Sequence, residues 1–204
     1  MLSTSLSTRE FVSSFIFSFV LLTFPAIIPE TFAQTPNAAP DAVLISLPND
    51  VASYSPRTAA AADVASEPAS SDAAKIEKRA FEATNAVRQR HGLTPLIWDS
   101  ELCRMARIHS KKMVQLGFFS HESPDGLRLR DRAHAAGIAN FKLFGENIAY
   151  NQGFDDPGAF AVEKWMRSPG HRANILNAKF QQSAVGVFVA PDGTVFLTQE
   201  FIAR

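Results

Sequence analysis

The chain has 204 residues, 46% of them hydrophobic, with 20 basic and 20 acidic side chains. That is enough for one packed domain plus appendages, and the charge balance is too even to argue for nucleic-acid binding. The single cysteine, Cys103, excludes an intrachain disulfide, so an exported form must hold its core without cross-links. The charge is unevenly spread: two basic and seven acidic residues precede Lys75, against 18 and 13 from there onward. An excess of that size fits an ordinary solvated face.

Residues 1–33 read as an export signal. Phe11 to Ile28 is almost wholly apolar, and Thr31-Phe32-Ala33 puts small residues where a signal peptidase cuts. The competing reading is an uncleaved N-terminal anchor, since the run approaches spanning length. Either reading places the remainder outside the cytoplasm, as a secreted or envelope-exposed protein. Residues 34–74 are rich in Ala, Pro, Ser and Asp without lasting periodicity, and read as a disordered tether. The apolar island Val43-Leu-Ile-Ser-Leu47 is too short to build a core.

The folded domain is expected over 75–204. Ile76, Ala80, Ala83 and Val87 fall at helical spacing through Arg90, and Gly92 ends that helix. Thr94-Pro95 forces an extended link, from which Leu96 and Trp98 are expected to pack inward. Asp99 or Ser100 caps a second helix with Leu102, Met105, Ala106, His109, Met113 and Leu116 on one face. The turn Ser123-Pro-Asp-Gly126 precedes a short basic helix from Leu127 to Ala136. Phe144 to Tyr150 reads as a strand. Asp156-Pro157 opens a helix through Met166, and Ser168-Pro169 restarts the chain as another, with Pro where its missing N–H costs nothing. Two strands, Ala184 to Ala190 and Thr194 to Phe201, close the chain around a Pro191-Asp192-Gly193 turn. Strands follow helices with no βαβ alternation, which points to an α+β fold with an antiparallel sheet.

Five histidines are present. His91 and His134 read as surface residues, and His109 as a satisfied core residue on an apolar helical face. His121 and His171 differ, because each sits where an apolar run meets a tight turn. His171 falls in the first turn of its helix, where the dipole disfavours imidazolium and a neutral ring suits a metal ligand or a base. Packing the turn is the alternative role. Glu146 follows Gly145 inside an apolar strand, so its carboxylate must be paired, hydrogen-bonded or functional. Two His and one Glu are a zinc-ligand set, but roughly 25 residues separate each from the next and no His-Glu-x-x-His occurs. Cys103 reads as a small buried hydrophobe, and Arg128-Leu-Arg-Asp-Arg132 as a solvated charge run.

Taken together, Phe118-Phe-Ser-His121, Gly145-Glu-Asn-Ile-Ala149, Trp165-Met-Arg-Ser-Pro-Gly-His-Arg-Ala-Asn-Ile-Leu176 and Gly186-Val-Phe-Val189 with Thr198-Gln-Glu-Phe201 resemble the bacterial branch of the CAP superfamily. This is the SCP, or cysteine-rich secretory, antigen 5 and pathogenesis-related 1, group. The resemblance runs from about Ile76 to the C-terminus. It implies an α-β-α sandwich with a central antiparallel sheet and a cleft lined by two His and two Glu. His121, Glu146 and His171 match three of the four, and the two His are ligands of zinc or another divalent ion in several relatives. The second Glu of many relatives falls at Ser168 here. Glu163 lies five residues earlier, about 140° away around a helix, and does not simply replace it. With a rebuilt loop it reaches the cleft, so the expected cleft residues are His121, Glu146, Glu163, Ser168 and His171.

Three functions follow as expectations. The first is an extracellular module binding a lipid or an envelope or extracellular protein, because members of the family bind sterols and fatty acids. The second is a zinc-dependent hydrolase in which His121 and His171 hold the metal and Glu146 is ligand or general base. The third is a structural envelope protein whose polar cleft stabilises the fold. A monomer is expected, with no nucleic-acid partner and membrane contact only through an uncleaved N-terminal segment.

Overall fold

The structure is a computed structural model describing residues 42–46 and 70–204. The segment read as an export signal, and most of the tether, lie outside the described residues. The elements in chain order are β1 (Val43–Ser46), α1 (Ser71–Arg90), β2 (Ile97–Trp98), α2 (Ser100–Gln115), α3 (Leu129–Ala135), β3 (Leu143–Asn151), α4 (Pro157–Arg167), α5 (Pro169–Ile175), β4 (Gln182–Val189) and β5 (Val195–Ala203). The five strands form one sheet in the order β1-β3-β5-β4-β2.

Alternation along the central strands divides the core into two layers. Val195, Leu197, Phe201 and Ala203 of β5 join Val185 and Val187 of β4 in a cluster with α1, α4 and α5. Ile202, Ala184 and Phe144 face the other way and pack on α2 and α3. The result is an α-β-α sandwich. Gly186 lets α2 cross β4 closely, since a Cβ there would lie 2.1 Å from the Arg107 nitrogen.

The sequence expectations need correction at four places. The sheet is antiparallel except at β2, whose two residues run parallel to β4. The island at Val43 is not part of a structureless tether; Val43–Ser46 pairs antiparallel with residues 143–146 of β3. The main body begins before Lys75, because Ser70 accepts the Ala73 N–H at 3.2 Å and starts α1 at Ser71. Trp98 and Leu116 lie at the surface: Trp98 packs edge-on against Phe81, and Leu116 falls just beyond the end of α2.

Two features fix the ends of the elements that carry the site. Asp99 caps α2, accepting from Glu101 N at 2.8 Å and Leu102 N at 3.2 Å. Buried Arg88 of α1 donates to the carbonyls of Thr94, Ile175 and Asn177, which ties the end of α5 to the core.

Candidate functional site

Glu146 of β3 is the centre of the site. It is fully buried, so its charge must be met by protein groups. His121, in the loop after α2, meets it with Nδ1 at 2.7 Å from Oε1. Arg132 of α3 donates to Oε2, and its other terminal nitrogen donates to the His121 carbonyl at 2.6 Å. His109 of α2 completes the ring, with Nε2 at 4.0 Å from Oε2.

These contacts fix protonation states. Burial alone would raise the Glu146 carboxyl, but Arg132 and the two histidines outweigh it and hold it well below the ordinary range. An anionic Glu146 can only accept, so His121 donates through Nδ1 and its proton is placed there. His121 Nε2 is buried with no hydrogen-bond partner. Burial pushes His109 down to about 4, so it is neutral near pH 7. Its Nε2 lies 3.1 Å from the Ser120 carbonyl, which can only accept, so that nitrogen carries the proton.

A second carboxyl stands beside the first. Glu200 of β5 is the direct register partner of Glu146, on the same face of the sheet, and is also fully buried. Neither of its oxygens has a hydrogen-bond partner. Burial raises its pKa well above the ordinary value, and Glu146 pushes the same way. Both effects favour the protonated, neutral acid over the carboxylate. Sequence reasoning missed it, although the argument that singled out Glu146, a carboxyl inside a strand, applies equally. Arg132 was missed too: read as part of a solvated charge run, it is buried and grips Glu146.

The other expected cleft residues sit on different elements. His171 is buried on α5 and shares a 2.8 Å hydrogen bond between Nδ1 and the Ser168 hydroxyl. Ser168 thus uses its side chain on the ring and makes no side-chain cap to the helix backbone. The two parts of the site are connected through β3. Asn147, pointing away from the Glu146 side, donates to the His171 carbonyl at 3.2 Å. Asn174 donates to the Glu146 carbonyl at 3.2 Å and to Asn147 Oδ1 at 3.0 Å. Glu163 does not take part; it is exposed on α4 and paired with Arg167 one turn on.

A zinc centre asks for three or four protein donors. Among the described residues, no group of three or more His, Cys, Asp or Glu side chains is placed to hold an ion. Both Glu146 oxygens are engaged, and His109 spends its Nε2 on Ser120. A three-ligand zinc set does not fit these residues. Cys103 supplies no nucleophile: it is buried beside Glu77, and burial pushes its thiol up to about 12.

The comparisons with known proteins agree with this architecture. Residues 81–201 match the model of the cysteine-rich secretory protein family, CAP. The chain belongs to the CAP family. The uncharacterized protein YkwD of Bacillus subtilis is 38% identical over 155 residues, covering 76% of this chain and 57% of its own. The uncharacterized membrane protein YlbC of the same organism is 40% identical over 128 residues, covering 63% of this chain and 34% of its own. The chain thus spans about a third and somewhat over half of the length of these two relatives. A crystal structure of an extracellular SCP-domain protein from Bacillus anthracis superposes with a TM-score of 0.57 at 36% identity, over 68% of this chain and 45% of that one. The CAP fold expected from the motifs is the fold observed.

Proposed function

We propose that this CAP domain is a non-catalytic binding module working outside the cytoplasm. The observation that carries this reading is the state of Glu146. A general base needs a pKa near the working pH and reach to a water or substrate proton. Glu146 is buried, held anionic far below that range, and committed through both oxygens to His121 and Arg132. It positions His121 and does not exchange protons near neutrality.

The loop that carries His121 also contributes to an aromatic cluster. Two residues before His121, Phe119 packs edge-on against Tyr150, which stacks on Phe196, and Tyr150 is exposed. An aromatic cluster that leaves Tyr150 exposed suits a lipid or an apolar protein surface. An extracytoplasmic location is supported by the apolar N-terminal run and by the extracellular description of the Bacillus anthracis relative. Among the described residues, no helix is long and apolar enough to cross a membrane.

A divalent ion held by His121 and His171 is the second reading. It is favoured by one observation: Glu146 fixes the His121 ring with Nε2 bare, the orientation in which a carboxylate presents a histidine to a metal. A zinc titration of the full chain at pH 7.5 and 5.5, beside the His121→Ala/His171→Ala variant, tests both readings. The module reading expects weak zinc binding and no peptide or ester turnover. Micromolar binding that fades at pH 5.5 and vanishes in the variant establishes the ion site. Turnover lost in Glu146→Gln overturns the non-catalytic reading.

A further inference from the structure

The β4 edge of the sheet carries a cavity that the Glu146 site does not use. β2 has only two residues and covers β4 at Gln182 and Ser183. Among the described residues no strand pairs with that edge beyond Ser183, and the Glu77 carboxylate takes the Val187 N–H at 3.0 Å instead. Here a cavity of about 510 Å³ opens between α1, β2 and α2, a volume typical of small-ligand sites. β5 and β4 separate it from β3 and Glu146.

Two kinds of side chain line it. The apolar part is Phe81 and Trp98, whose rings meet edge-on with centroids 5.0 Å apart and planes at 88°. They form a corner, and Trp98 is left 36% exposed in it. The polar part is Glu77, Lys78, Glu82 and Arg107, two charges of each sign. Each already has a partner. Arg107 donates to Glu77 through Nε at 2.7 Å and Nη2 at 2.6 Å. Lys78 lies 3.7 Å from Glu82, which Arg79 also approaches at 3.5 Å.

That lining discriminates between ligand classes. An ion meets no net charge here and would have to part an existing pair. A hydrocarbon chain would cover charged groups while giving them no hydrogen bond. A neutral molecule with one apolar face and a polar rim meets neither cost. A pyranose ring has that form. The C–H bonds of its flat face are weakly positive and suit the negative face of an aromatic ring. Its hydroxyls both donate and accept, so they serve carboxylates and cations alike.

We propose that this cavity binds a neutral oligosaccharide, with a pyranose ring stacked on Trp98 and its hydroxyls held by Arg107 and Glu82. Glu77 is a positioning residue: it takes Nε and Nη2 of Arg107, which fixes the guanidinium and leaves Nη1 for the sugar. The Glu77–Arg107 pair alone marks no site; the uncovered aromatic corner beside it does. The inference stands apart from the aromatic cluster at Tyr150 and from any metal.

The test titrates the full chain with two uncharged probes, triacetylchitotriose and cellotriose, by calorimetry and tryptophan emission. Trp165 is fully buried, so a change in emission reports Trp98. Saturable binding with a blue shift is expected, weakened at least about tenfold in Trp98→Ala and largely restored in Trp98→Tyr. Tetramethylammonium and decanoate stand for the cationic and hydrocarbon alternatives, and tighter binding of either at Trp98 overturns the proposal. So does a wild type that binds neither sugar at millimolar concentration, or a Trp98→Ala variant that binds as wild type does. Amide chemical shifts of the wild type give a second measure, independent of any variant's folding. The sugar is expected to move signals of residues 74–82, 97–98 and 107; shifts centred on His121 or Tyr150 instead place it elsewhere and end the proposal.

Discussion

Two buried glutamates, each gripped by an arginine, stand near opposite edges of the same sheet. Glu77 of α1 accepts from Arg107 of α2 at 2.7 and 2.6 Å and from the Val187 N–H of β4 at 3.0 Å. Since α1 and α2 lie on opposite faces, this pair clamps both helical layers around the β4 edge. Glu146 has the same charge partner in Arg132, but histidines and a second carboxyl surround it. A buried carboxylate paired with arginine is thus no sign of function by itself. What separates the two places is the number of groups nearby that can titrate or turn a nitrogen outward.

The largest expected effect breaks the Glu146 pair. Arg132→Met leaves an uncompensated charge in a fully buried site, and loss of one partner of such a pair costs about 3–5 kcal/mol. Urea denaturation at pH 7 measures it, and adding Glu146→Gln should recover a large part. Arg107→Met should cost less, because the Val187 N–H still supports Glu77 and the Arg107 side chain is 29% exposed. Equal costs would make the two glutamates equivalent and remove the contrast.

Acid comes next. The folded state keeps His109 neutral down to about 4, whereas the unfolded chain protonates it at 6.5. The unfolded state then binds more protons, so stability falls as pH drops from 6.5 towards 4, by about 3 kcal/mol in all. His109→Gln keeps a donor for the Ser120 carbonyl and should flatten that limb. Glu146 acts in a lower window: its depressed pKa stabilises the fold above about 4.5, and that support is lost as pH falls further. A pH series of chemical melts on the two variants separates the windows. Loss of the upper limb in Glu146→Gln with no change in His109→Gln would assign it to the wrong group.

Much of this arrangement could be read in the residues, and the exceptions have a common cause. Helix caps at Asp99 and Asp156, the Asp192-Gly193 turn and the carboxylate at Glu146 are local signals, decided within a few residues of chain. Arg132 is different. Leu129, Arg132 and Ala133 share the buried side of α3, but a run of three arginines and an aspartate masks that face. Glu200 hides in the polar stretch Thr198-Gln-Glu, because β5 is buried on both faces and each polar residue finds its environment on another element. Thr198 meets Ser110 at 2.9 Å and Gln199 meets Thr84 at 3.0 Å, partners some 88 and 115 residues away. β1 needs an edge about a hundred residues downstream. The ring around Glu146 likewise comes from four elements, so periodicity along any one of them could not assemble it.

Glu200 sharpens the comparison from the alkaline side, because nothing of its kind accompanies Glu77. Its folded pKa is raised, so the folded state keeps a proton that the unfolded chain gives up above about 4.5. Stability from this group is complete below that pH and declines as pH rises towards the folded value. Glu200→Gln copies the protonated acid in shape and removes the decline. The variant should match wild type at pH 4.5 and gain on it as pH rises above that. In a pH series of infrared spectra, the variant should lose a protonated-carboxyl band that wild type keeps above the ordinary carboxylate range. A variant that falls behind as pH rises would mean that Glu200 is ionised and bound to a partner.

The smallest expected effect concerns Glu163, whose carboxylate the motif comparison left near the cleft. Its ion pair with Arg167 is one turn apart, with side chains 55% and 67% exposed. Exposed pairs at this spacing contribute about 0.3–0.5 kcal/mol and are screened by salt. Glu163→Ala should therefore change stability by no more than that, less still in 1 M salt, and leave the His121 and His171 ring signals unmoved in NMR spectra. The contrast with Arg132→Met then rests on burial alone, since both changes remove one member of a glutamate–arginine pair. A shift of the His171 signals would instead draw Glu163 into the site by way of the α4–α5 corner at Ser168, the residue whose hydroxyl the His171 ring already engages.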